Sequence, residues 1–448
     1  MQTEAGVYYK GTMYKRYIMK KRILFIYAMM LVVACMAVYY PVFDYPFMKG
    51  WDDRWQILNF YTTNGLSANN LVSIFSIFYN GQYSPLSQLS YTVIFHYFGF
   101  NASAFHFVNL LWHIGYIILV FCFIRKLLNG YDNKSAHANA FIAFGVAVLA
   151  AIHPVNAEVV SWLSASKVLS CSYFYMLSML CYLYYVTNRK TRYFIASLFF
   201  FLCAFFCKEQ VVTLPFCLLL IDWFLQRDLR SRIVIIEKLP FFMIMLCMLA
   251  ITFASYQATV AEVVADNDNY PLFQRIVFCG YSICEYILKT FLPINLQYLY
   301  PYPMNIGDPL PTRFYLYLIM IPTLGYIIYA CRKHRIILFG IFFFLVQLSP
   351  FLHIIPLPRF TITADRYLYM ASIGMFFIWS YYLYYYAIRL HGIRWKYSCI
   401  IAIVLLLSAT GYYTQYCSRK WESEKSLKYK VKQILEEREK LNNQLSTI

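Results

Sequence analysis

The chain has 448 residues, of which 61% are hydrophobic and only 13% charged, whereas a soluble domain is about 45–50% apolar and about 25% charged. A chain this apolar has too little polar surface to cover a globule, so lipid must solvate it. The net charge of +18 does not imply nucleic-acid binding, because no soluble basic domain carries it. The basic residues stand in short clusters between apolar runs, such as Arg125/Lys126, Arg189/Lys190/Arg192, Arg227/Arg230/Arg232, Arg332/Lys333/Arg335 and Arg389/Arg394/Lys396. That distribution is the positive-inside pattern of a membrane protein facing an anionic inner leaflet.

In chain order, residues 1–22 form a basic cytoplasmic N-terminus. The apolar run 23–40 lacks a small-residue cleavage site and reads as a retained transmembrane helix. A long loop, 41–104, follows, and then the apolar segments 105–124, 139–152, 168–186, 193–207, 211–225, 239–257, 313–330, 336–352, 367–388 and 397–415. A bilayer core needs about 20 apolar residues per helix. Placing every basic cluster in the cytoplasm makes these eleven segments alternate, with the N-terminus inside and the C-terminus outside. The expected fold is an all-α polytopic bundle over 23–416, followed by a charged, amphipathic, extracytoplasmic helix over 417–448. Residues 273–292 are apolar but interrupted by Arg275, Glu285 and Lys289, and read as a re-entrant or interfacial helix on the outer side. The 13 Cys show neither zinc-site nor disulfide spacing, and no internal repeat is visible.

Ionisable side chains close to the membrane are costly and are functional candidates by default. This topology collects four groups on the outer side. Asp52 and Asp53, within Trp51–Arg54, offer adjacent carboxylates for general-base work or for a divalent cation. The stretch from His153 through Glu158 and Trp162 to Lys167 follows Pro154, which ends or kinks the third helix. Lys208 lies between two apolar helices on the side opposite the basic clusters and calls for an anionic partner, either a phosphate or a carboxylate such as Glu209. Arg366, also on that side, has the planar fork that suits phosphate oxygens, with Asp365 as the alternative partner and Tyr367 beside it. Asp222 near Arg227 reads as an ion pair at the inner interface, and His106, Asn109 and His113 fall on one face of the second helix.

The ordered motifs resemble the membrane domain of the transmembrane-and-tetratricopeptide-repeat (TMTC) glycosyltransferases and their bacterial relatives in the GT-C superfamily. They are WDD at 51–53, NGQYSPLSQLSYTVIFHYFGFNASAFHFVNLLWH at 80–113, HPVNAEVVSWLSASK at 153–167, CKEQVVTLPFCLLLIDW at 207–223, EKLPFF at 237–242, YLYPYP at 298–303 and ADRYLYM at 364–370. The resemblance implies a GT-C-like bundle with a large first outer loop. It implies inverting transfer of a monosaccharide, mannose in such relatives, from a polyprenyl-phosphate donor to a hydroxyl on protein, glycan or lipid. Asp52 or Asp53 would be the base. Arg366, Lys208, Lys167 and His153 would hold the donor phosphate, and Glu158, Tyr367 and Trp162 would orient acceptor or sugar. The resemblance fixes no cofactor, and a divalent cation, where one takes part, would fall on Asp52 and Asp53. Relatives often carry a repeat domain after the last helix, where this sequence has one charged helix, and that difference favours a bacterial inner membrane with the site facing the periplasm. The competing class is a transporter or flippase of lipid-linked sugars, which should show repeated halves and charges near the midplane.

The topology has a direct check. A cysteine introduced as Asn69→Cys should react with a membrane-impermeant maleimide in intact cells, and protection there would reverse the assignment of sides.

Overall fold

A computed structural model describes residues 22–131, 136–263, 270–355, 361–389 and 393–446. The basic N-terminus expected at 1–22 lies outside the described residues except for Arg22, as do parts of the loops 257–272 and 353–366. The protein is an all-α polytopic membrane protein, 81% helical, with no strand among the described residues.

All eleven apolar segments are helical. The first helix, α1, spans Arg22–Asp44. It is followed by α2 (Ala102–Tyr131), α3 (Ala136–Ile152), α4 (Ser166–Asn188), α5 (Thr191–Cys207), α6 (Leu214–Phe224), α7 (Arg232–Val263), α8 (Leu272–Phe291), α9 (Met320–Ala330), α10 (Arg335–Leu348), α11 (Leu368–Leu383), α12 (Ile393–Ser418) and α13 (Glu424–Ser446). Among the described residues, six helices are long and apolar enough to cross a membrane, or seven if α3 and the following Pro154–Ser161, bent by 52°, form one broken span. The shorter apolar helices are short for a local reason. α6 is preceded by the 3-10 turn Glu209–Thr213, α10 is followed by Ser349–Phe351 and α11 is preceded by Asp365–Tyr367. Each turn carries or adjoins a polar motif.

Apolar side chains fill the centre of the bundle and also coat its outside. Ile117, Val120, Ile142, Val146, Leu169 and Phe205 are buried in one continuous core, while Phe25, Val33, Met243, Phe253, Leu405 and Leu406 are exposed. Apolar residues on both faces are what a lipid-solvated helix requires. Helices α10 and α11 cross backbone to backbone at Gly340 and Gly374, where a β-carbon on either residue would collide with the carbonyl of the other. Small residues at such crossings let helix backbones approach closely in membranes.

The two ends of the bundle differ. At one end, fully buried Asp222 accepts hydrogen bonds from the Tyr182 hydroxyl at 2.9 and 2.7 Å and from Arg227 at 2.7 Å, and it pairs with Lys238. Arg227 and Arg189 both reach Glu237, at 2.7 and 3.1 Å. The ion pair expected for Asp222 and Arg227 is therefore present, inside a larger network. Arg335 donates to the carbonyl of Trp223 at 2.9 Å at the same end. The other end carries the loop 41–104 and all four candidate motifs.

Introducing a side chain at the α10–α11 crossing should separate the helices. Overpacking of this kind costs about 1–3 kcal/mol, so Gly374→Val should lower the thermal unfolding midpoint of detergent-purified protein by several degrees, and an unchanged midpoint would show that the crossing is not tight.

Candidate functional site

The loop 41–104 is built from short helices, each with a local cause. Pro85 stands in the first turn of Pro85–Phe98, where its missing N–H costs nothing. Gly99, at φ +59°, ends that helix. Ser67 caps Ala68–Ser76 by accepting from the Asn70 amide at 3.3 Å. Asn80 and Gly81 both have positive φ, 48° and 70°, and close a tight turn in which Tyr79 and Gln82 exchange backbone hydrogen bonds at 3.1 and 3.0 Å. That turn aims Gln82 at Lys167, whose ammonium donates to Gln82 Oε1 at 2.8 Å.

The acidic pair divides into two roles. Asp53 is fully buried. Its carboxylate accepts from the Met48 amide at 2.8 Å, from the Ser164 amide at 3.0 Å and from the Ser164 hydroxyl. Burial pushes the Asp53 carboxyl up to about 6, the three donors opposing it. Asp52 is only half-buried and accepts from the Trp55 indole N–H at 3.2 Å through one oxygen; the other has no donor among the described residues. Asp53 ties the loop to the bundle, and Asp52 is the carboxylate left available.

The segment 153–167 is where the site converges. His153 has extended backbone, φ −71° and ψ 135°, ahead of Pro154, so the kink expected at Pro154 is present. The His153 ring contacts the Thr290 carbonyl at 3.1 Å, and Asn156 donates to the Ala150 carbonyl at 2.7 Å, which satisfies a group the break exposes. Beyond the break come Glu158, Trp162, Ser164 and Lys167. The Lys167 ammonium lies 5.6 Å from the Trp55 ring, and Glu209, Lys208 and Asp52 are close enough to act on its charge. Ser87 donates to the Cys207 carbonyl at 3.1 Å, which pins the α5–α6 turn against the loop. Lys208 is half-buried, and its ammonium forms no hydrogen bond or ion pair among the described residues. Neighbouring Glu209 is exposed and does not pair with it.

A second group adjoins the first through Trp162. Arg366 donates to Glu158 through its guanidinium at 2.7 Å and through its amide at 3.0 Å. Its guanidinium lies 5.9 Å from the Trp162 ring and 5.1 Å from the Tyr367 ring. Asp365, the partner the sequence offered for Arg366, pairs instead with Lys289 at 3.0 Å and accepts from the Tyr300 hydroxyl at 2.9 and 3.0 Å. His153 reaches this group only through the Thr290 carbonyl, so its side chain is already engaged.

Five participants were not singled out from the sequence. Ser164 sits inside the 153–167 motif but is an unremarkable residue type. Gln82 depends on the Asn80–Gly81 turn, which was a readable signal. Lys289 broke the apolar pattern of 273–292 and was noted only for that, Tyr300 belongs to the Tyr- and Pro-rich stretch 298–303, and Trp421 stacks on Trp162 at 5.2 Å. No group of three or more His, Cys, Asp or Glu side chains able to hold a metal comes together among the described residues, and the Asp53 oxygens are engaged by protein donors.

No family model matches the chain. Over 143 residues, 29% of this chain and 19% of the relative, it is 30% identical to human protein O-mannosyl-transferase TMTC4. It is 28% identical to protein O-mannosyl-transferase Tmtc1 of Drosophila melanogaster over 134 residues, 30% of this chain and 15% of the relative. It is 29% identical to mouse protein O-mannosyl-transferase TMTC1 over 153 residues, 32% of this chain and 15% of the relative. The matches therefore span less than a fifth of each relative, and they support a TMTC-type relationship.

The buried Asp53 carboxyl sets a pH dependence. Its folded-state value is raised from 3.8 to about 6, so its contribution to stability is fully present below pH ~4 and lost as the pH rises through about 6. The unfolding midpoint of wild type minus that of Asp53→Asn should fall between pH 4 and 7, and a flat or rising difference would show that Asp53 does not titrate in this window.

Proposed function

We propose that the chain is a GT-C-type membrane glycosyltransferase that moves a monosaccharide from a polyprenyl-phosphate carrier to a hydroxyl acceptor on the extracytoplasmic side, in a bacterial inner membrane. Asp52 is the base. The acceptor oxygen attacks the anomeric carbon as its proton passes to the Asp52 carboxylate, the bond from that carbon to the phosphate oxygen breaks, and the electron pair leaves with the lipid phosphate, inverting the configuration. A positioned carboxylate supplies roughly 10²–10⁴-fold in such proton transfers.

The observation that carries this reading is Lys208, a half-buried cation with no protein partner among the described residues, within electrostatic range of Lys167, whose charge Asp52 also reaches. A cation left unpaired next to a bilayer fits an anionic ligand, and fixed positive charge where a phosphate leaves stabilises the transition state. Arg366 already has Glu158 and is assigned a supporting role, orienting Trp162 and Tyr367. The name shared by the relatives, protein O-mannosyl-transferase, supports a sugar donor and a hydroxyl acceptor, with mannose the first sugar to test.

The experiment is an in vitro transfer assay with a panel of polyprenyl-phosphate sugars. Asp52→Asn should lose at least about 100-fold in kcat. Lys208→Ala should raise the KM for donor about ten-fold, a change of about 1.4 kcal/mol, and leave the acceptor KM unchanged. Full turnover by Asp52→Asn would remove the proposed base.

A further inference from the structure

The sequence reads residues 417–448 as a charged, amphipathic helix, yet its first turns are fastened to the site. Trp421 stacks on Trp162 with the rings 10° from parallel. Ser418 and Ser161 share a 2.7 Å hydrogen bond, Lys420 donates to the Leu296 carbonyl at 2.7 Å, and Leu427 is fully buried. The Glu424 carboxylate lies against the backbone at Lys49 and Gly50. The ends of the Glu424 and Lys428 side chains lie directly over Gly50, which places α13 against the loop.

Between α13 and the loop runs a groove of about 370 Å³, lined by Trp51, Lys428, Val431, Lys432, Leu435 and Glu436, with Gly50 at its base. We infer that this groove is the acceptor site and that its occupant is a saccharide, the reducing or non-reducing end of a glycan or glycolipid. The inference rests on the transferase reading and specifies its acceptor.

Three features select that chemistry. The lining pairs an indole and two aliphatic side chains with a charged rim, which matches a sugar's apolar C–H face and hydroxyl edge. The rim charges cancel, since Lys428 pairs with Glu424 and Lys432 lies 3.7 Å from Glu436, so neither a phosphate nor an acidic peptide is favoured. The volume is at the small end of ligand sites, which run from roughly 300 to 1,000 Å³, and the groove lacks the strand edge or row of side-chain pockets by which extended peptides are gripped. Its position links it to the proposed base, because Trp51 lines the groove and immediately precedes Asp52 in the chain.

The test measures acceptor binding without donor. Full-length protein in lipid nanodiscs is titrated with neutral disaccharides ending in different hexoses and with a Ser/Thr-containing peptide, read by saturation-transfer NMR. At least one disaccharide should bind wild type, while Trp51→Ala and Leu435→Lys weaken it ten-fold or more and Trp51→Phe keeps most of the affinity. Leu435 is 39% exposed, so its substitution does not depend on refolding the bundle. Absence of disaccharide binding, binding indifferent to both groove substitutions, or binding of the peptide alone would overturn the saccharide site. Those outcomes leave the base assignment standing if Asp52→Asn still abolishes transfer. Conversely, disaccharide binding that requires Trp51 together with normal transfer by Asp52→Asn would keep the groove and remove the base.

Discussion

The burial of one carboxylate organises the loop-bearing end of the molecule. Asp53 sits without solvent contact and draws in the Met48 amide and both donors of Ser164. An unpaired carboxylate there would cost several kcal/mol, so the loop cannot leave the bundle without exposing or orphaning that group. With Asp53 fixed, Asp52 is held at the start of the short helix Asp53–Gln56, and Trp51 is held against α13. The same segment that supplies Ser164 also supplies Glu158, Trp162 and Lys167, so one carboxylate sets the register between Asp52 and the cations.

Lipid as solvent explains where the charged side chains are found. Charges are costly in the hydrocarbon and are pushed to the ends of the helices. At one end they cancel one another, with Asp222, Glu237, Arg227 and Lys238 forming a closed network. At the other end they cancel incompletely. Arg366 has Glu158 and Lys289 has Asp365, but Lys208 has no partner among the described residues. The turns at Pro154, Lys208 and Asp365 are the means by which the backbone delivers these side chains, since each redirects the chain, and at the first two Asn156 and Ser87 satisfy the carbonyls of Ala150 and Cys207.

Much of this was legible in the sequence. The apolar runs located all eleven helical segments, because hydrophobic length is a strong signal in membrane chains. Pro154 announced the kink, and the adjacent Asp222 and Arg227 announced the ion pair at the basic end. Other features depend on pairing across long sequence separations, which composition cannot reveal. Glu158 rather than Asp365 neutralises Arg366 because the chain meets itself more than 200 residues later. The difference between Asp52 and Asp53 follows from Ser164, a residue type with no distinguishing pattern, and the charged spacing of 417–448 hid the buried Leu427 and the stacked Trp421. Helix position was readable, but the number of crossings was not, since α5, α6 and α10 are short where they adjoin polar turns.

The central claim is that Asp52 and Lys208 face one site that receives a lipid-linked sugar phosphate. It is tested most directly by an experimental structure of the full chain in a lipid nanodisc with a non-transferable polyprenyl-phosphonate sugar. The account predicts the phosphonate within hydrogen-bonding distance of Lys208 Nζ, about 3 Å, with the anomeric carbon open to attack from the Asp52 side. A phosphonate bound at the Arg227–Lys238 end, or an Asp52 carboxylate turned away from the sugar, would contradict it.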